Sequence, residues 1–406
     1  MSEGGAAAGL KRRPRVFGAS IGHLASRAMS VYGLLILTVT LCVVFSLLMP
    51  TTFPTAFNAR SILSDKSIVI LIALAEMIVV SADQFDLSVG YGVGLAQILA
   101  IGFQTREHLA WPVAAMLVLA IGLCVGLVNG LLVTRAHIDS FIATLGVGTF
   151  LYGISEWYTH GAQVIGTVAS SFRALSGNVA GIPLPAIYVV VIGLGLWLVL
   201  EYLPLGRYLY VLGSNPRAAE LTGISSRKYV LIAFMAGGVL TGFAGIILQS
   251  RLGVGQSSVG ANYLLPAFVG ALLGATSVRP GRANVWGTVI AVLFLGIAVA
   301  GLEQLGAQFY VESLFNGGML VLAVGLAGYA ARRRLRNMAS PRGVGNSDES
   351  QQGLDAVVTG ALVSPDVASE AVASGVPQPP CAADEASLPA HQRPEPTAHA
   401  DNLRGV

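Results

Sequence analysis

AWPVAAMLVLAIGLCVGLVNGLLVT, residues 110–134, runs for 25 residues without one charged side chain. Crossing about 30 Å of hydrocarbon takes roughly 20 helical residues, so this stretch predicts a helix that spans a membrane. Gly122, Gly126 and Gly130 recur along it at a spacing of four, which lets a neighbouring backbone approach one face. The strongly polar side chain within it is Asn129. An amide at membrane depth needs a partner on another helix.

Outward from this run the pattern repeats. Apolar stretches fall at residues 31–49, 67–82, 86–103, 139–157, 183–202, 228–250, 263–277, 284–302 and 308–330, the segment at 263–277 being short enough for a partial span. The expectation is an all-α, polytopic integral membrane protein with about ten transmembrane helices. Composition agrees: 54% of the 406 residues are apolar and 11% charged, against about 25% charged in an average soluble domain. The basic residues 11–15 precede an apolar run too long for a secretory signal, which is read as an uncleaved first span.

Lysine and arginine set the orientation, because short loops rich in them stay cytoplasmic. With the N-terminus inside, inner segments up to residue 336 hold sixteen such residues and outer segments five. Both termini are therefore predicted to be cytoplasmic. The predicted organisation is a cytoplasmic segment at 1–30, a transmembrane domain at 31–330 and a disordered cytoplasmic tail at 331–406. That tail is rich in Pro, Ser, Ala and acid, and nine of the 21 acidic residues lie beyond residue 342.

Cys42, Cys124 and Cys381 make no paired spacing, and the six histidines are scattered, so no disulfide framework or metal site is expected. Lys11, Lys66 and Lys228 are the only lysines and none follows a glycine, which excludes a phosphate-binding Gly-Lys-[Ser/Thr] loop. No convergent catalytic set is visible. Nothing in the chain reads as catalytic, and no cofactor of its own is expected.

Candidate pathway residues are the polar groups at membrane depth: Glu76 within an apolar helix, Asp83, Gln84, Asp86 and Ser88 between the second and third spans, and Asn129 and Thr144 around the fourth and fifth. Interhelical hydrogen bonding is the competing reading for Glu76, Asn129 and Thr144, and a plain inter-span turn for Asp83, Gln84, Asp86 and Ser88. The long loop at 203–228 spells a short helix: Asn215 suits the N-cap, Pro216 the first helical position, and Gly223 a left-handed end. Ala218 and Ala219 would let a partner approach while Arg217 and Glu220 set register. An ordinary amphipathic connector remains the alternative.

Gly206-Arg207 followed by Gly213-x-Asn215-x-x-Ala218-Ala219-x-x-x-Gly223-Ile224 resembles the cytoplasmic coupling loop of the ribose-type (simple sugar) ABC transporter permeases. Asp86-Leu87-Ser88-Val89-Gly90, Phe141-Ile142-Ala143-Thr144-Leu145-Gly146 and Gly274-Ala275-Thr276-Ser277 with Pro280-Gly281 look like further motifs of that family, in the same order over about residues 31–330. The resemblance implies an inner-membrane importer subunit. A homodimer or a paralogous pair of permeases would form the pathway for a ribose-like pentose or hexose. A separate ABC ATPase would hold ATP and Mg, and an extracytoplasmic sugar-binding protein would deliver the solute. It also implies that a bulky charge at Ala219 uncouples transport in a folded protein. Three departures stand out: Asp83-Gln84 for two glycines, Asp139 for proline, and Arg279-Pro280-Gly281-Arg282 for a plainer turn. An ABC permease for another small polar solute (amino acid, urea, nucleoside) shares the architecture, and a proton-coupled secondary transporter would need a relay for which only Glu76 qualifies.

Overall fold

The computed structural model describes residues 18–339, with side chains over 31–325. The basic residues 11–15 and the tail beyond residue 339 lie outside the described residues; residues 331–339, expected to open a disordered tail, instead continue the last helix. Thirteen α-helices run through the described residues: α1 (Gly18–Leu48), α2 (Ala56–Val80), α3 (Ser88–Thr105), α4 (Trp111–Thr134), α5 (Ser140–Thr159), α6 (Ser170–Arg173), α7 (Leu184–Tyr202), α8 (Pro204–Ser214), α9 (Pro216–Leu221), α10 (Ser226–Leu252), α11 (Val259–Gly274), α12 (Val285–Gln304) and α13 (Tyr310–Ala339). Two-residue strands β1 (Val164–Ile165), β2 (Asn178–Val179), β3 (Ile182–Pro183) and β4 (Val254–Gly255) pair antiparallel, β1 with β4 and β2 with β3.

Six helical segments among the described residues are long and apolar enough to cross a membrane, in α1, α4, α7, α10, α12 and residues 257–274 around α11. The expected count of about ten is not met on that measure. Part of the shortfall has a physical cause in α2, which carries Asp65, Lys66 and Glu76 yet is buried at every residue from 67 to 79. It packs against α10, α11, α12 and α7. A helix wrapped by others meets little lipid, so its composition need not be lipophilic.

The recurrent glycines pack within the subunit. A Cβ at Gly122 or Gly126 would collide with the carbonyl oxygens of Gly238 or Phe234 on α10. Gly90 and Gly94 sit against Leu264 and Gly260 of α11, and Gly270 and Gly274 against Val292 and Thr288 of α12. Close backbone approach thus supplies the packing that a hydrophobic drive cannot supply in lipid. At one end of the bundle Arg251 pairs with Asp65, and Lys66 lies 3.7 Å from Glu312. These ion pairs tie α2 to α10 and α13.

Candidate functional site

At the other end, the connection from α2 to α3 is buried at Ser81, Ala82, Asp86 and Leu87, and the backbone N–H groups leading into α3 need partners. Side chains from two helices, α2 and α5, supply them. Phe85 N–H donates to Ser140 Oγ at 3.2 Å, Asp86 N–H to Glu76 Oε1 at 3.2 Å, and Leu87 N–H to Thr144 Oγ1 at 3.0 Å. Asp86 Oδ1 accepts from Ser88 N–H at 3.0 Å, Ser88 Oγ at 2.6 Å and Asn129 Nδ2 at 3.3 Å. Asn129 Nδ2 also donates to Ser88 Oγ at 2.8 Å, while its Oδ1 is buried without a partner in the described residues. A void of about 20 Å³ beside Asp86 and Ser88 is walled by Gly92, Gly122, Gly238, Thr241 and Gly242. It has room for about one water.

Five of the candidate pathway residues, Glu76, Asp86, Ser88, Asn129 and Thr144, thus come together and are buried. Asp83 and Gln84 do not join them. Asp83 is exposed, with φ 58°, and Gln84 donates to its carbonyl. Partial burial pushes the Asp83 carboxyl above its ordinary value. Asp139, read as a departure, caps α5 by accepting from Phe141 and Ile142 N–H.

The loop beyond α7 forms α8 and α9. Asn215 caps α9, its Oδ1 accepting from Ala218 N–H at 3.1 Å, and Gly223 takes φ 82° after its end. Gly206 abuts the Leu200 backbone, and Gly213 abuts the carbonyl oxygen of Ser81, close to the polar connection. Arg207, Arg217, Ala218 and Glu220 are exposed. Ala219 is not: it is fully buried, which overturns its expected role as a partner-facing residue. A charge there would disrupt the loop before it could test coupling. Leu221, which the sequence reading passed over, is 89% exposed. Its position three residues after Ala218 was the available signal, since that spacing puts both on one helical face.

The turn from α11 to α12 abuts α8. Arg282 stacks over Tyr210 with its guanidinium carbon 3.9 Å from the ring centroid, Tyr210 Oη donates to the Ala283 carbonyl at 3.0 Å, and Arg279 pairs with Glu201. The hydrogen bond to Glu201 holds the Arg279 guanidinium above its ordinary pKa, and burial pushes the Tyr210 phenol up against the opposing pull of Arg282. Among the described residues no cluster of side chains could hold a metal ion.

Long apolar helices around a buried, charge-bearing α2, with a capped helical loop outside the spans, define a helical, multi-pass membrane protein. Residues 58–324 match the family model described as branched-chain amino acid transport system / permease component. The ribose import permease protein RbsC of Escherichia coli strain K12 is 33% identical over 294 residues, 71% of this chain and 91% of the relative. The D-allose transport system permease protein AlsC of the same strain is 30% identical over 300 residues, 73% of this chain and 90% of the relative. The autoinducer 2 import system permease protein LsrD of Klebsiella pneumoniae is 31% identical over 263 residues, 63% of this chain and 78% of the relative. No solved structure matches. The chain belongs to this transport-system permease family and is a permease component, not an enzyme.

Proposed function

We propose that this chain is the membrane-spanning permease subunit of an ABC importer and forms the translocation pathway for a small sugar, a ribose-like pentose or hexose. The ribose and D-allose permeases among its relatives support the solute class. The observation that carries the importer reading is α9: a capped helix outside the spans with Arg217, Ala218, Glu220 and Leu221 exposed, joined through α8 and Gly213 to the connection that carries Asp86. A helix presented this way suits a groove on a partner protein. The partner is a separate ATPase, which must contact α9 differently in its two nucleotide states for ATP to bias the cycle. An extracytoplasmic binding protein delivers the solute, and a second permease, identical or paralogous, completes the pathway.

Helices α2, α3, α5 and α13 bring the crossings to about ten, with both ends of the chain cytoplasmic. Asp86 and Ser88, which border the void, and Asn129, with its unpartnered oxygen, contribute to the pathway, while Glu76 and Thr144 hold the connection that carries them. Another small polar solute is the second reading, favoured by the family description, which names amino-acid transport.

The test is ATP hydrolysis in vesicles containing the chain and its co-expressed ATPase. Hydrolysis should rise when a sugar-loaded binding protein is added, and exchanging sugars for amino acids separates the two solute readings. Uptake driven by a proton gradient without any ATPase would overturn the importer assignment.

A further inference from the structure

The Arg279-Pro280-Gly281-Arg282 turn has no part in the pathway or in α9, yet it is built as a rigid seat. Asn284, which is buried, donates through Nδ2 to the carbonyls of Gly274 at 3.2 Å, Ser277 at 3.0 Å and Arg282 at 3.0 Å. Its Oδ1 accepts from Gly287 N–H at 2.8 Å, so one side chain fixes both limbs of the turn and caps α12. Val278 adopts φ 60°, a rare conformation for a β-branched residue. Its N–H donates to the Val31 carbonyl at 3.0 Å, which ties the turn to α1.

Both arginines leave this seat toward the loop beyond α7. Arg279 takes Glu201 at the end of α7, and Arg282 takes Tyr210 in the middle of α8. The two contacts straddle the joint between those helices. Elsewhere on α8, Leu209 and Leu212 are buried and Gly213 abuts the Ser81 carbonyl. A single residue, Asn215, separates α8 from α9, so the direction of α8 sets the direction of α9.

We propose that the Arg279–Arg282 turn is a positioning clamp: seated on Asn284 and acting through Glu201 and Tyr210, it holds α8 so that α9 is presented to the ATPase at a fixed angle. This rests on the importer reading above. Exposed ion pairs add little to global stability, and the exposed Arg282 stacked on the half-buried Tyr210 ring adds only modestly more. Variants lacking both arginines therefore stay folded. The same contacts are large enough to decide whether one surface loop is open or closed.

The experiment uses the full chain in lipid nanodiscs and, separately, in vesicles with its co-expressed ATPase and a sugar-loaded binding protein. In the nanodiscs, the double variant Arg279→Ala/Arg282→Ala should exchange amide hydrogens over residues 204–223 roughly tenfold faster, with residues 226–252 unchanged. Tyr210→Phe, which keeps the stacked ring, should stay near wild type. In the vesicles, solute moved per ATP hydrolysed should fall about tenfold while hydrolysis stays within about twofold, and Arg282→Lys should recover part of the loss. Unchanged exchange, or hydrolysis and transport falling together with the yield of folded protein, overturns the clamp. A wild-type chain that couples to no ATPase overturns the importer reading and the presentation of α9 with it. That failure is distinguishable, because the exchange measurement needs no partner and reports separately whether the arginines order the loop.

Discussion

Asp86 gathers three donors on one carboxylate oxygen, whereas the Glu76 carboxyl receives one backbone N–H, and Asn129 links the Asp86 carboxylate to the Ser88 hydroxyl. Asn129→Ala deletes a buried donor shared by two acceptors. It should destabilise the protein by about 1–3 kcal/mol, read as a lower midpoint in detergent thermal unfolding. An unchanged midpoint would place Asn129 outside the network that holds the connection. On α9 two adjacent alanines should behave oppositely. Ala219→Glu forces a carboxylate into a fully buried site at a cost of at least about 3 kcal/mol, and is expected to lower the yield of monodisperse protein. Ala218→Glu lies on the exposed side of the same helix and should leave that yield unchanged while abolishing co-purification with the ATPase. Full retention of the ATPase by Ala218→Glu would remove α9 from the interface.

Among the elements, α4 and α10 approach through glycine, and α5 carries glycines with a different outlook. Gly146 and Gly153 have nothing within 4 Å of where a Cβ would stand, while Gly126 faces the Phe234 backbone. Gly126→Val should therefore separate α4 from α10 and cost several kcal/mol, on the order of the larger core substitutions. Gly146→Val and Gly153→Val should leave the unfolding midpoint near wild type. Equal loss in all three would contradict the packing described for α4. The spacing-four pattern was legible in the sequence because helix periodicity places such residues on one face, and the cap chemistry of Asn215 was legible because it is local. What escaped was long-range. No local rule shows that Ala219 is covered by the rest of the subunit, that Lys66 finds Glu312, or that α2 is buried at every residue from 67 to 79. Nor does any local rule bring Tyr210 beneath Arg282, 72 positions apart in the chain. Pathway candidates were identified by the unusual chemistry of polar groups in apolar surroundings, a cue that also picked up Asp83 and Gln84, which sit at the surface of the same connection.

For the whole molecule, the distribution of charge and the direction of one helix together predict which side the loop containing α9 faces. Arg135, Arg207, Arg217, Arg227, Lys228, Arg279 and Arg282 lie at the end where α4 and α7 finish, and Arg60, Arg106 and Arg173 at the opposite end. The rule that short basic loops stay inside assigns the first end to the cytoplasm. Helix α7 has 19 residues, which at 1.5 Å per residue makes it about 28 Å long, close to the hydrocarbon thickness of a bilayer. It runs from the β2–β3 hairpin to α8, so a crossing by α7 would put the hairpin and α9 on opposite sides of the membrane. Val179 in the hairpin and Leu221 in α9 are both well exposed and serve as reporters. In a background with Cys42, Cys124 and Cys381 replaced, Val179→Cys should react with a membrane-impermeant maleimide on intact cells, and Leu221→Cys only after permeabilisation. The reverse pattern would invert the chain and put α9 beyond the reach of any cytoplasmic ATPase. Labelling of both from outside would mean that α7 does not cross, and the bundle would then have to be threaded through the membrane differently.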